Sequence, residues 1–336
     1  MKNKLELNLC ELTVLAENGN ADAQFALGLR LEDDDKERVL ALLDQGSEYE
    51  PDARIKAEEW YRKAADQGHP EAQVRLAAMY FQCKDEREAA RWLRKAAELG
   101  NADAQFLLGC VYEHGDSIPH DYEEAAMWYR AAAEQGNAKA QVNLGAMYAD
   151  GLGIPQDHEE AAKWYRKAAE QGDVNGQFRL AEMYADGRIP QDYSAAAKLY
   201  LACAEQDDIE AQCRLAVFYG NGLGVPGDYA EALKWMYVAA YDVCIDRHQA
   251  PWQDEAAQMI EIAVTKMTPE QIQEARCRAR EWLLGHGLEY RLRAWPDEDQ
   301  MTGATTTRMT ATEQAEEGIC RALERLQAHG IECRTV

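Results

Sequence analysis

The chain has 336 residues, 47% of them hydrophobic, and a formal net charge of −24. So acidic a composition disfavours direct nucleic-acid binding, which needs Lys and Arg clustered against phosphates; it suits either simple solubility or a partner of basic surface. Nothing approaches the about 18 consecutive apolar residues of a membrane span, and Glu6 and Glu11 break up the opening segment, a poor secretory signal, so no membrane partner and a cytoplasmic location are expected.

Residues 19–30 read as a first helix. An acidic insertion follows over 32–55, where Asp33, Asp34 and Asp35 open a run that few basic residues oppose. It is either a solvated elaboration of an inter-helix loop or an acidic prong that meets a basic partner. The Asp-x-Asp-x-Asp-Gly spacing of a calcium loop is absent from it. Residues 57–67 read as the second helix across this insertion.

From there a period takes over. Trp60, Trp92, Trp128, Trp164 and Trp235 lie 32, 36, 36 and 71 residues apart, with Leu199 in the slot between the last two. A fixed period of this length marks a repeat array whose units bury their apolar faces against neighbours, and these tryptophans are expected between successive units. Residues 68–99 form a shortened unit without a Gly-Pro turn; 100–135, 136–171, 172–206 and 207–240 are full ones. In 136–171, Ala140, Leu144, Gly145 and Tyr148 recur at helical spacing behind Asn137, a suitable N-cap. Gly151 and Gly153 stop that helix, Pro155 forbids its continuation, and Asp157 opens a second helix carrying Ala161, Ala162, Trp164, Tyr165, Ala168 and Ala169 on one stripe. Thr268, Pro269 and Gln271 then start a closing helix. Beyond Leu284, Glu289–Trp295 and Ile331–Val336 alternate as strands would, and Thr312–His329 has helical spacing. A small β/α element over 286–336 is expected, too small to stand alone: either a second cap over the open end or a dimer contact or partner clamp.

The phrases Ala-Gln-x-x-Leu-Gly-x-x-Tyr, Gly-x-Gly-Ile-Pro-Gln-Asp and Ala-Ala-x-Trp-Tyr-x-x-Ala-Ala-x-Gln-Gly resemble the Sel-one-like repeat, a branch of the tetratricopeptide-type α-solenoids, over residues 10–284. The resemblance implies an all-α, right-handed solenoid of about six helix-turn-helix repeats plus capping helices. Some bacterial members of that family are secreted with one disulfide per repeat. The nine cysteines here lack that regularity and any Cys-x-x-Cys pair, so they read as reduced, mostly buried thiols.

In such solenoids the first helices line the concave surface. The stripe opposite their core side carries Phe25, Val74, Phe106, Val142 and Phe178, flanked by Glu113, His114, Asp150, Glu182 and Asp186. An apolar row with acidic borders is a candidate peptide-binding groove; alternatively the phenylalanines are ordinary core between adjacent first helices. No dinucleotide, phosphate-loop or His-Glu-x-x-His motif is present. The Gly-Leu-Gly-Ile-Pro phrase recurs at the repeat period and is a turn, and the seven histidines are scattered. No enzyme, cofactor or metal is expected. The reading is a non-enzymatic scaffold or adaptor for a protein partner of basic surface. An immunity-type inhibitor of a bacterial toxin is the alternative, and a hydrolase using groove carboxylates the remote one, which would need strongly shifted carboxyl groups.

Overall fold

The computed structural model describes residues 9–32, 52–245, 262–263 and 265–288. Asp33, Asp34, Asp35 and the rest of the insertion to residue 51 lie outside them, as does the expected β/α element beyond residue 288. Every regular element among the described residues is an α-helix. These are α1 (Leu9–Glu17), α2 (21–32), α3 (Asp52–Asp66), α4 (Pro70–Gln82), α5 (Glu86–Glu98), α6 (Ala102–His114), α7 (Tyr122–Glu134), α8 (Ala138–Asp150), α9 (His158–Glu170), α10 (Val174–Asp186), α11 (Tyr193–Ala204), α12 (Ile209–Asn221), α13 (Tyr229–Ile245) and α14 (Pro269–Gly285). From α2 to α13 they alternate as first and second helices of a repeat. Two compact units result, Met1–Asp173 with α1–α9 and Val174–Val336 with α10–α14.

The local chemistry sets the helix ends. Asn101 and Asn137 cap first helices by accepting from the Ala104 and Ala140 amides at 2.8 and 2.9 Å. Asp121, Asp157 and Asp192 cap second helices in the same way, each accepting from an amide three residues on. The turn between them needs glycine at one place above all. Gly153 has φ of +68°, and a Cβ there would lie 2.2 Å from the Tyr122 carbonyl oxygen at the start of α7. Gly224 stands in the same relation to Tyr193. Each Gly-x-Gly turn is thus seated on the second helix of the preceding repeat.

The core differs from expectation in its deepest aromatic. Trp92, Trp164 and Trp235 are buried, but Trp60 and Trp128 are only half-buried. Tyr61, Tyr129, Tyr165 and Tyr200 are the residues sunk between the helices. For three of them the reason is a hole left by glycine: a Cβ on Gly28, Gly109 or Gly145 would come within 2.5, 2.6 and 2.7 Å of the rings of Tyr61, Tyr129 and Tyr165, whereas Ala181 holds that position in the repeat of Tyr200. Three of the indoles lie under a lysine three residues later. Lys63, Lys95 and Lys167 lie 3.9, 3.8 and 3.7 Å from the ring centres of Trp60, Trp92 and Trp164.

A buried glutamine joins successive repeats. Gln24, Gln73, Gln105, Gln141 and Gln212 each donate from Nε2 to a carbonyl near the end of the preceding helix, at 3.0 to 3.2 Å, satisfying acceptors that a helix terminus leaves over. A second glutamine closing the next second helix donates to the first one's Oε1: Gln67 to Gln24 at 2.7 Å, and Gln135 to Gln105 and Gln171 to Gln141 at 2.8 Å. In the second repeat Leu99 stands in the place of that donor, and Oε1 of Gln73 has no hydrogen-bond partner.

At the far end α14 packs on α13. Thr268 and Gln271 form the expected capping box. Ala279 and Leu283 are buried in the second unit's core, and Trp282 meets Trp235 edge-on at 5.4 Å.

Candidate protein-binding face

In the first unit, one half-buried apolar side chain per first helix occupies the expected stripe: Phe25, Val74, Phe106 and Val142. Each phenylalanine leans on the tyrosine that fills its own repeat, Phe25 on Tyr61 at 5.8 Å and Phe106 on Tyr129 at 6.0 Å. Phe106 is thus held from beneath and left partly open above. Two turns further along, Glu113 accepts a 2.6 Å hydrogen bond from the Tyr129 hydroxyl, and Glu32 takes the same bond from Tyr61 at 2.7 Å. His114 is exposed beside Glu113, with 3.5 Å between Nδ1 and the carboxylate, and Asp150 is exposed at the end of α8.

The second unit differs. Phe178 is only 7% exposed and meets Tyr200 edge-on at 5.5 Å; it belongs to the core there. Glu182 is half-buried and paired with Arg179 at 2.9 Å, while exposed Asp186 lies 3.9 Å from Arg188. Burial, with Glu182 nearby, raises the Glu210 carboxyl above its ordinary range. The sequence-predicted stripe is therefore an open face in the first unit, and its Phe178 member is a packing residue in the second.

The thiols and phenols near this face are not poised for chemistry. Burial raises Cys110, and burial also holds the Tyr129 hydroxyl far above the usual phenol range, helped by its bonds to Cys110 and Glu113. Cys213 is pushed up to about 12 by burial and by Glu210. A nucleophilic thiol needs the opposite shift. Among the described residues no group of three His, Cys, Asp or Glu side chains is placed to hold a metal. The described cysteines Cys10, Cys83, Cys110, Cys203, Cys213 and Cys277 are free thiols, but against expectation they are not mostly buried: Cys10, Cys83 and Cys277 are exposed, and only Cys203 and Cys213 are buried. No helix among the described residues is long and apolar enough to cross a membrane.

Two features escaped the sequence reading. Arginines on second helices donate to tyrosine hydroxyls on the next first helix: Arg62 to Tyr80 at 3.0 Å, Arg130 to Tyr148 at 2.8 Å, and Arg94 to Tyr112. The repeated spacing of 18 residues was the signal for these. The other is a cluster of cations on α5, where Arg87 occupies the position held by Glu123 and Glu159 in the next two repeats.

Comparison with known proteins agrees with this architecture. Sel1 repeats are recognised at residues 21–69, 70–101, 102–137, 138–173, 174–208 and 209–242. A protective antigen of uropathogenic Escherichia coli with an SLR fold superposes with a TM-score of 0.68 at 28% identity, over 90% of this chain. The chain spans only 60% of that protein's length. A Sel1 repeat protein from Oxalobacter formigenes superposes with a TM-score of 0.55 at 31% identity, over 70% of this chain and 100% of its own. No curated protein matches the chain significantly.

Proposed function

Because the chain belongs to the Sel1 repeat family, we propose that it is a non-enzymatic scaffold that holds a protein partner of basic surface on the face made by its first helices. The observation that carries this is the half-buried row Phe25, Val74, Phe106 and Val142 beside Glu113, His114 and Asp150. Side chains braced from below and open above offer apolar contact without ordering cost, and the carboxylates beside them hasten encounter with a cationic surface. Glu182 and Asp186 are the corresponding carboxylates of the second unit, and Asp33, Asp34 and Asp35 of the insertion supply further negative charge. With the thiols protonated, the face suits recognition better than catalysis. Work as an adaptor in the cytoplasm belongs to this same proposal.

The test is co-purification of the partner from the native host, followed by binding kinetics. Replacing Asp33, Asp34 and Asp35 by Asn should slow association, and raising salt should do the same, since exposed charges are screened beyond about 10 Å at 0.1 M salt. Phe106→Ala should chiefly speed dissociation while the protein stays folded. A salt-independent association rate removes the electrostatic half of the proposal. Unchanged affinity in folded Phe106→Ala and Val142→Ala proteins removes the apolar half.

A further inference from the structure

Charge is distributed unevenly in this acidic chain. On α5, Arg87, Arg91, Arg94 and Lys95 follow one another at i, i+4, i+7 and i+8, so they share one helix face. All four are exposed. Together with Ala90 and Ile118 they line a cleft of about 410 Å³ between α5 and the 115–121 loop. That loop is fastened to the start of α5: Ser117 N–H donates to Glu86 at 2.7 Å, and Arg87 Nε donates to the Ser117 carbonyl at 3.4 Å. The cleft is therefore an open, shallow groove with cations along one wall and Ala90 and Ile118 as its apolar part.

Its cations are only partly neutralised. Arg91 pairs with Glu88, Arg94 donates to the Tyr112 hydroxyl, and Lys95 lies over the Trp92 ring. Glu98 stands at one end of the cleft. The next two repeats place Glu123 and Glu159 where Arg87 is, and Met127 and Lys163 where Arg91 is. Where Arg94 and Lys95 stand, the third repeat has Arg130 and Ala131 and the fourth has Arg166 and Lys167, so the second repeat carries all four cations of the stripe and differs in charge from the fourth at Arg87 alone.

We propose that this cleft is a docking site for an acidic peptide segment of a partner protein, separate from the face of the first helices. The arrangement of the cations selects this occupant. Four cations strung over about two turns span roughly 10–12 Å at 1.5 Å per residue, which suits successive carboxylates on a peptide rather than one phosphate needing convergent donors. The apolar part formed by Ala90 and Ile118 accepts an apolar side chain between those carboxylates. The negative charge of the whole chain does not forbid it, because at physiological salt charges beyond about 8 Å are largely screened and the local cations dominate.

The probe is a fluorescein-labelled twelve-residue peptide alternating Glu and Leu, with its Gln-for-Glu counterpart and a labelled single-stranded DNA twelve-mer as comparisons, read by anisotropy on the full chain. The expected result is saturable binding of the acidic peptide, at least tenfold weaker for the Gln peptide. Arg87→Glu with Arg91→Glu should weaken it at least tenfold, whereas Lys163→Glu, an exposed lysine on α9, should change it less than twofold. Circular dichroism and thermal unfolding confirm that the double variant is folded; if it is not, Arg91→Glu alone, whose side chain is 69% exposed, gives the same comparison. Absence of saturable binding, or equal loss in the Lys163 variant, overturns the proposal. Tighter binding of the oligonucleotide would reassign the cleft to nucleic acid. Self-association of the chain that the double variant abolishes would reassign it to a second copy.

Discussion

Leu99→Gln should stabilise the protein. In three junctions of the first unit the glutamine ladder closes, with Gln67, Gln135 and Gln171 donating to Gln24, Gln105 and Gln141 at 2.7 to 2.8 Å. At the fourth, Gln73 is 2% exposed and its Oε1 has no hydrogen-bond partner, while Leu99, in the donor's place, is 57% exposed. A buried acceptor left without a partner costs about 1–3 kcal/mol, and a neutral hydrogen bond returns a net 0.5–1.5 kcal/mol. Against this stand the lost methyl contacts of a mostly exposed leucine, which the glutamine stem largely replaces, and roughly 1 kcal/mol of side-chain ordering. The balance is a gain on the order of 0.5–1 kcal/mol. Urea unfolding of Leu99→Gln should show a higher midpoint at unchanged slope. A double-mutant cycle with Gln73→Leu isolates the pair, and a coupling near 1 kcal/mol is expected for residues in direct contact. A neutral or destabilising Leu99→Gln with coupling below about 0.3 kcal/mol, the limit of simple additivity, would refute the ladder as a source of stability.

Gly145→Ala should cost about 1–3 kcal/mol by overpacking, less what alanine returns in helix propensity, because the new Cβ would lie 2.7 Å from the Tyr165 ring. The loss should shrink in a Tyr165→Leu background, as the second repeat combines Ala77 with Leu93 at these two positions; an unchanged loss would show that the ring is not what the glycine accommodates. Alkylation of the native protein at pH 8 should label exposed Cys10, Cys83 and Cys277 and spare Cys203 and Cys213, read by peptide mass spectrometry; rapid labelling of Cys213, whose thiol is pushed up to about 12, would contradict the burial argument. Asp208 caps α12 through the Ala211 amide at 2.8 Å, yet burial raises its carboxyl. A raised folded-state value means the penalty is full above that value and vanishes below the unfolded one. Asp208→Asn, which keeps the cap as Asn101 and Asn137 do, should therefore raise the melting temperature at pH 7 and converge with the parent below about pH 4. A pH-independent difference would point away from the buried charge.

Much of this architecture is written locally. Caps at Asn101, Asn137, Asp157 and Thr268 and the start of the closing helix α14 depend on groups three or four residues apart, and such short-range chemistry can be read off a string. The 36-residue period of Trp128 and Trp164 fixes the alternation of first and second helices for the same reason. What the string did not decide is which members of a repeated pattern are open and which are closed. Tyr129 rather than Trp128 lies deepest because Gly109, on another helix, leaves the hole; Phe178 is sealed against Tyr200 while Phe106, at the same register, stays partly open. The vacancy beside Gln73 and the cleft between α5 and the 115–121 loop likewise exist only once separate helices meet. Capping and periodicity belong to neighbours in sequence, whereas depth of burial, hydrogen-bond satisfaction and local potential belong to neighbours in space, and only the tertiary structure names those.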